Sequence, residues 1–278
     1  MKKWIVAVSG GVDSIVLLDR LVKANGAKLI VSHVDHGIRP ESGEDAAFVR
    51  TCAEMYSLPF ELIQLALGAG ASEELARTRR WQFLREMRDK HGAEKIVTAH
   101  HGDDVCETMV INVLRGTGWR GIATLRETDE IMRPLLAMRK SDIVAYARAN
   151  ELQWREDATN RDQAYLRNYV RHTIMPQTSD GQREQLLGLH AQQCALRERI
   201  EQEAAQHTST RRHQFIMWPD EVAREMLRPY VGSLTQREYD RVLLFIRVGH
   251  PSKQLTLSNG KVITLKLREF IVSGQEDC

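Results

Sequence analysis

The stretch Trp4-Ile-Val-Ala-Val-Ser-Gly-Gly-Val-Asp-Ser14 decides the fold. Trp4 to Val8 form an apolar run long enough for a strand buried on both faces, as in a parallel sheet. The run breaks at Ser9-Gly10-Gly11, and apolar Val16, Leu17, Leu18, Leu21 and Val22 then mark a helix over residues 15–24. A glycine-rich turn between strand and helix lets successive backbone N–H groups converge on an anion, assisted by the positive end of the helix dipole. Ser9 and Ser14 add hydroxyls. Asp13 repels phosphate unless a divalent cation lies between them, and magnesium carried by a nucleotide fits that need.

The alternation continues outward. Strands are expected at residues 28–33, 60–65 and 95–99, and helices at 42–56, 72–91 and 103–114, with Ser72 as an N-cap and Gly92 as a stop. This rhythm predicts an α/β fold, a doubly wound parallel sheet with ligand at the carboxyl ends of its strands. The polar segments Ser9-Gly10-Gly11, His33-Val34-Asp35-His36 and His100-His101-Gly102-Asp103-Asp104 all fall at those ends. Residues 133–176 read as a less regular, arginine-rich arm. Beyond residue 180 the composition turns polar and helical, with helices expected at 182–207, 220–230 and 235–248. A hairpin follows, with strands at 254–257 and 262–272 about a turn at Asn259-Gly260. Residues 1–180 are expected to form one domain and 181–278 a second, smaller and mainly helical one.

The 39 basic and 37 acidic residues nearly cancel, so any nucleic-acid site must be a local patch rather than a global field. The apolar start ends at Ser9, too early for a signal peptide, and no run approaches the roughly 18 residues of a membrane span. Cys52, Cys106, Cys194 and Cys278 are widely spaced, without a Cys-x-x-Cys pair. A cytoplasmic chain is expected, with no membrane partner and a homodimer left open.

A second cluster, His100-His101-Gly102-Asp103-Asp104-Val105-Cys106-Glu107, sets acids on the first turn of a helix. Glu107 shares a face with Asp103 and Asp104. Acids there often just complement the helix dipole; two histidines at the mouth of a strand, opposite a phosphate loop, point to chemistry. Arg115 closes this helix beside Gly116 and Gly118. Arg77, Arg79 and Arg80 lie on the preceding helix, where one could reach a triphosphate or an RNA backbone.

No lysine follows the glycines of the first motif, so it is not the common Gly-x4-Gly-Lys-Ser/Thr loop. It resembles instead the loop of the PP-loop ATP pyrophosphatases. Taken with the later motifs, residues 4–176 resemble the tRNA(Ile)-lysidine synthetase family. Those motifs are His33-Val-Asp-His-Gly-Ile-Arg39, Ala76-Arg77 through Arg80-Trp81, Ala99-His-His-Gly-Asp-Asp104 with Glu107-Thr108, Leu114-Arg-Gly-Thr-Gly118 and Arg133-Pro-Leu-Leu136. Glu156-Asp157 with Thr159-Asn160, and Tyr165-Leu-Arg-Asn168 with Arg171, complete the set. Trp81, Cys106 and Tyr169 depart from the usual tyrosine, glutamine and arginine, and none of the three removes a charge assigned to chemistry. The shorter C-terminal region resembles the compact form with one appended domain.

The resemblance implies an ATP-dependent ligase. It adenylates the C2 oxygen of the wobble cytidine in a CAU-anticodon tRNA(Ile), joins L-lysine to C2, and releases pyrophosphate and AMP. It implies ATP held by Ser9, Gly10, Gly11, Val12, Asp13, Ser14, His33 and Arg77, and Mg2+ held by Asp13 and Asp104. Asp13, His100, Asp104, Glu107 and Arg171 are then the catalytic set. Asp103, Arg115 and Arg167 would contact lysine or RNA, and residues 181–278 would grip the tRNA. Trp119 and Trp154 are stacking candidates for a splayed base, with core packing the plainer role for each. A PP-loop thiolase would need paired cysteines, an NAD or GMP synthetase would not carry the later arginine motifs, and a silent RNA-binding relative would have lost Asp13, Asp104 or Glu107.

Overall fold

The computed structural model describes residues 2–35, 37, 42–65, 73–155 and 166–274. Ser72, His36, Ile38, Arg39, the Glu156-Asp157 and Thr159-Asn160 pairs, Tyr165 and Cys278 lie outside the described residues. The chain divides into two units, residues 1–194 and 195–278.

The first unit is built on a parallel sheet of β1 (Lys3–Ala7), β2 (Lys28–Asp35), β3 (Phe60–Gln64), β4 (Lys95–Val97) and β5 (Ile131–Met132), in the order β3-β2-β1-β4-β5. β1 is central, pairing Ile5 with both Ile30 and Ile96, and Val6 with Val31 and Val97. Successive side chains point to opposite faces. Ile5, Ile30 and Ile96 therefore pack with Phe83 and Leu84 of α3 (Glu73–His91). Val6, Val31 and Val97 meet Val16 and Leu17 of α1 (Val12–Ala24), Val49 of α2 (Ser42–Met55) and Ile143 of α6 (Lys140–Ala149). Burial on both faces is why these strands read as continuous apolar runs. α1 ends at Asn25, whose left-handed φ of 47° lets its N–H reach the Leu21 and Val22 carbonyls.

The expected doubly wound sheet is present. The arm is more regular than expected: after α4 (Gly102–Leu114) and the short α5 (Trp119–Ile122), β5 completes the sheet edge and α6 packs on α1. In α6 only Ile143 and Ala147 are buried, too narrow a stripe to stand out among arginines. Leu166–Tyr169 forms α7, which runs into a π-helical turn, Val170–Ile174, and a 3-10 turn, Met175–Gln177. α8 follows over Asp180–Gln206.

Asp19 ties α1 to its neighbours. Its carboxylate pairs with Lys23 at 2.8 Å and accepts from the hydroxyls of Tyr146 at 2.7 Å and Tyr56 at 3.0 Å. Burial pushes its pKa up, but the Lys23 ammonium and the two hydroxyls outweigh this and hold it below the usual range. A depressed pKa contributes stability above the unfolded-state value of about 3.9 and loses it as pH falls through the folded value. Asp19→Asn is therefore expected to lower the urea midpoint at pH 7, and by less at pH 3. An equal deficit at both values would remove the charge from the explanation.

In the second unit, α9 (Arg212–Met217), α10 (Asp220–Val231) and α11 (Gln236–Val248) pack on an antiparallel sheet of β6 (Gln254–Thr256), β7 (Val262–Leu265) and β8 (Phe270–Ser273). Phe215 is fully buried, edge-on to Trp218 at 5.0 Å and to Phe270 at 5.2 Å. Thr235 and Glu238 exchange hydrogen bonds in a capping box that starts α11. The turn at Asn259-Gly260 lies between β6 and β7 as expected, with Gly260 at φ +82°. The expected single strand over 262–272 is instead two, folded back where the Lys266 N–H donates to the Glu269 carbonyl at 2.8 Å. Four polar or exposed residues, Lys266-Leu267-Arg268-Glu269, supply the turn.

Candidate active site

The loop after β1 is folded around Ser14. The Ser14 Oγ accepts from the N–H groups of Ser9 and Gly10, both at 3.2 Å, and donates to the Gly11 carbonyl at 2.9 Å. Gly10 lies at φ +93°, a conformation that side chains disfavour, and a Cβ there would come within 3.4 Å of Val49. The Arg155 N–H donates to the Gly10 carbonyl at 3.0 Å, and its guanidinium pairs with Glu44 and Asp45. The loop is therefore braced from two sides, with the N-terminus of α1 behind it.

Beside it, β4 delivers His100 and His101 and the first turn of α4 delivers Asp103, Asp104 and Glu107. His101 Nε2 lies 3.7 Å from Asp13 Oδ1 and 3.5 Å from Asp104 Oδ2, so one buried imidazole stands between the two carboxylates. The Asp104 carboxylate accepts from the His101 N–H at 3.1 Å and pairs with Arg167 at 3.2 Å and Arg171 at 3.3 Å. Burial pushes its pKa up, but His101, Arg167 and His100 together hold it below the usual range. Glu107, 3 % exposed, takes a two-point contact from Arg171 at 2.7 and 2.8 Å and a third from Arg167 at 3.3 Å. The Glu107 partnership raises the Arg171 pKa. Asp103 accepts from the Lys140 N–H at 2.7 Å and from Arg183 at 3.2 Å.

His100, next in the chain to His101, has Nδ1 2.9 Å from the Thr98 hydroxyl. Burial pushes its pKa down to about 3 against the pull of Asp104, so the ring is neutral at pH 7. His33 is buried with Nδ1 2.7 Å from the Val8 carbonyl, and burial also lowers its pKa. Val12 is buried at the start of α1.

Ser9 to Ser14, His101, Asp104, Glu107, Arg167 and Arg171 thus meet through contacts at one end of the sheet. Arg77 is exposed on α3, where its charge helps burial hold the Arg133 pKa down at about 10. Arg115 is exposed at the far end of α4, roughly 16 Å along the helix axis from Asp104. Trp154 packs against the sheet core, and Trp119 is half-buried with the Arg120 guanidinium 4.9 Å over its ring. Sequence reasoning missed Lys140 and Arg183. Both follow the Arg133-Pro-Leu-Leu136 motif without a pattern of their own, and only the packing of α6 and α8 brings them in. Among the described residues no three His, Cys, Asp or Glu side chains converge as a metal site of their own, and no helix is long and apolar enough to cross a membrane.

A parallel sheet in this strand order, with a glycine-rich loop after its central strand, defines a nucleotide-binding α/β protein. Residues 1–178 match the PP-loop domain model, and the chain belongs to that family. Curated relatives named tRNA(Ile)-lysidine synthase narrow the resemblance. One from Exiguobacterium sibiricum is 35 % identical across 93 % of this chain and 66 % of its own length. Others from Solibacter usitatus and Thermus thermophilus are 41 % and 42 % identical across 62 % of this chain, covering 40 % and 35 % of their own lengths. The chain thus spans between about a third and two thirds of these relatives. Among solved structures, a U34-tRNA thiolase from Methanococcus maripaludis shares the fold, with a TM-score of 0.56 at 18 % identity over 72 % of each chain.

Proposed function

We propose that this chain joins L-lysine to C2 of the wobble cytidine of a CAU-anticodon tRNA(Ile), using ATP. The observation that carries the reading is the meeting of the glycine-rich loop with Asp104, Glu107, Arg167 and Arg171 through His101. One end of the sheet then offers an anion cradle and a balanced set of acids and guanidiniums. Relatives of that name, matched through both units in one case, support it.

Adenylation transfers the AMP moiety of ATP to the cytosine C2 oxygen and expels pyrophosphate. Backbone N–H groups of Val12 to Ser14, at the N-terminus of α1, would stabilise the charge that builds on the leaving group. The donor set suits magnesium: Asp13 and Asp104 are hard oxygen donors within 4 Å of one imidazole nitrogen, and two carboxylates plus phosphate oxygens and water are its usual company. When bound, the ion would neutralise phosphate charge between them. Arg167 and Arg171, held by Glu107 and Asp104, then face the adenylated base or its phosphate.

In the second step the lysine amine attacks C2, a proton is lost and AMP leaves. Lysine arrives as a cation. Asp103, Asp104 and Glu107 attract it, while burial beside two guanidiniums lowers its pKa toward the neutral amine that attacks. His100, kept neutral, adds no competing charge, and one of Asp103, Asp104 or Glu107 would relay the proton to solvent. His33 and Arg77 would flank the nucleotide, Arg115 the RNA, and residues 181–278 would grip the tRNA in the cytoplasm. Burial raises the Cys52 pKa and pushes that of Cys106 up to about 11, so neither offers the thiolate that sulfur transfer requires.

The test is mass spectrometry of nucleosides from unmodified CAU-anticodon tRNA(Ile) incubated with the protein, ATP, magnesium and lysine. A cytidine-plus-lysine product that needs both ATP and lysine is expected. Intact tRNA binding without that product would leave an RNA-binding relative instead.

A further inference from the structure

The glycine-rich loop has no lysine of its own, yet a lysine stands at it. Lys140, the first residue of α6, places Nζ 2.6 and 2.7 Å from the two oxygens of Asp13, across 127 positions of sequence. Its backbone N–H is fixed by Asp103 at 2.7 Å, so the start of α6 is tied to the first turn of α4. The side chain remains 44 % exposed.

The Lys140 ammonium sits where two helices begin. Lys140 begins one helix and lies against the first turn of another, and both helix N-termini carry partial positive charge. Asp103 and Asp142 offset the start of α6 through backbone N–H groups, and Asp13 is the carboxylate on the Lys140 ammonium itself. The neighbouring cations are otherwise engaged: Arg167 and Arg171 with Asp104 and Glu107, Arg155 with Glu44 and Asp45. An exposed ammonium held by one carboxylate, beside the glycine-rich loop and the N-terminus of α1, makes sense where a polyanion arrives.

Resting on the proposed use of ATP, we infer that Lys140 is the phosphate-binding lysine of this loop, supplied in space by α6. With the site empty it neutralises Asp13. When a metal-bound triphosphate enters, Asp13 turns to the metal and the Lys140 ammonium transfers to the phosphate oxygens that leave as pyrophosphate. The ion pair is thus a placeholder that keeps a lone divalent cation off Asp13 until phosphate comes with it.

Two binding measurements on the purified full chain test this without the ligation reaction. In Lys140→Met, the Kd for magnesium pyrophosphate, measured by calorimetry, is expected to rise about ten- to a hundredfold, the scale of a lost charge-assisted hydrogen bond. Mn2+ binding without nucleotide, followed by electron paramagnetic resonance, is expected to tighten about two- to fivefold as a competing ion pair is removed. Lys140→Arg should keep most of the pyrophosphate affinity, and thermal melts of both variants report whether the fold is intact. Wild-type pyrophosphate affinity in a folded Lys140→Met overturns the assignment and leaves Lys140 a structural tie. Weakened affinity for both pyrophosphate and Mn2+ also overturns it, because a placeholder must oppose metal binding. If the parent chain binds neither ATP nor pyrophosphate, the ATP reading falls and this inference with it. Absence of lysidine product with pyrophosphate binding intact strikes the substrate reading alone.

Discussion

Glu107→Gln is expected to lower lysidine formation by about a hundredfold or more, within the range for losing a positioned acid–base group. The carboxylate is buried and holds Arg171 through two hydrogen bonds and Arg167 through a third. The amide keeps the shape but loses the charge, leaving Asp104 alone to balance two guanidiniums. Breaking a fully buried pair costs about 3–5 kcal/mol. Both arginines here are near 30 % exposed, so water screens part of that loss, and about 1–2 kcal/mol is the expected fall in stability. The two readouts separate the roles. A urea melt measures the stability loss, and single-turnover product formation under folding conditions measures the chemical one. Turnover within about threefold of the parent would show that the cluster holds α4 to α7 and the turn that follows it and does no chemistry.

Asp13→Asn is expected to abolish ATP-dependent pyrophosphate release, again by about a hundredfold or more, while fold and tRNA binding persist. Asp13 is in the first turn of α1, where an acid is worth only about 0.3–1 kcal/mol to the helix, so stability should change little. Asparagine keeps an oxygen but not the charge that offsets Lys140 and would hold magnesium against phosphate. The informative assay omits lysine. If Asp13 serves adenylation, pyrophosphate release fails before lysine is needed, whereas an effect confined to lysine-dependent turnover would move Asp13 to the second step. Unchanged turnover would remove it from the mechanism.

Much of the first unit was legible because a parallel strand buried on both faces has a plain signature. Ile5 and Val6 serve opposite layers of the core, so neither position tolerates a polar residue. The loop was legible for a related reason: the positive φ of Gly10 favours glycine, and the acids of α4 crowd one turn. The arm and the last sheet were less so. α6 buries too little to announce itself, and the turn between β7 and β8 interrupts an apparently continuous strand signal at charged residues.

The sequence by itself thus determined the strand order's raw material, the anion loop, and which residues near it bear charge, since each of these is a local pattern of spacing and type. Only the tertiary structure decided who meets whom. Asp13 meets Lys140, Asp103 meets Arg183, and Glu107 meets Arg167 and Arg171, over separations of 127, 80, 60 and 64 residues. Arg115, close to the acids in sequence, is carried to the other end of its helix. The reason is physical: periodicity fixes the face of an element a residue occupies, but the docking of elements on the sheet sets which faces touch, and charge pairing acts only at contact.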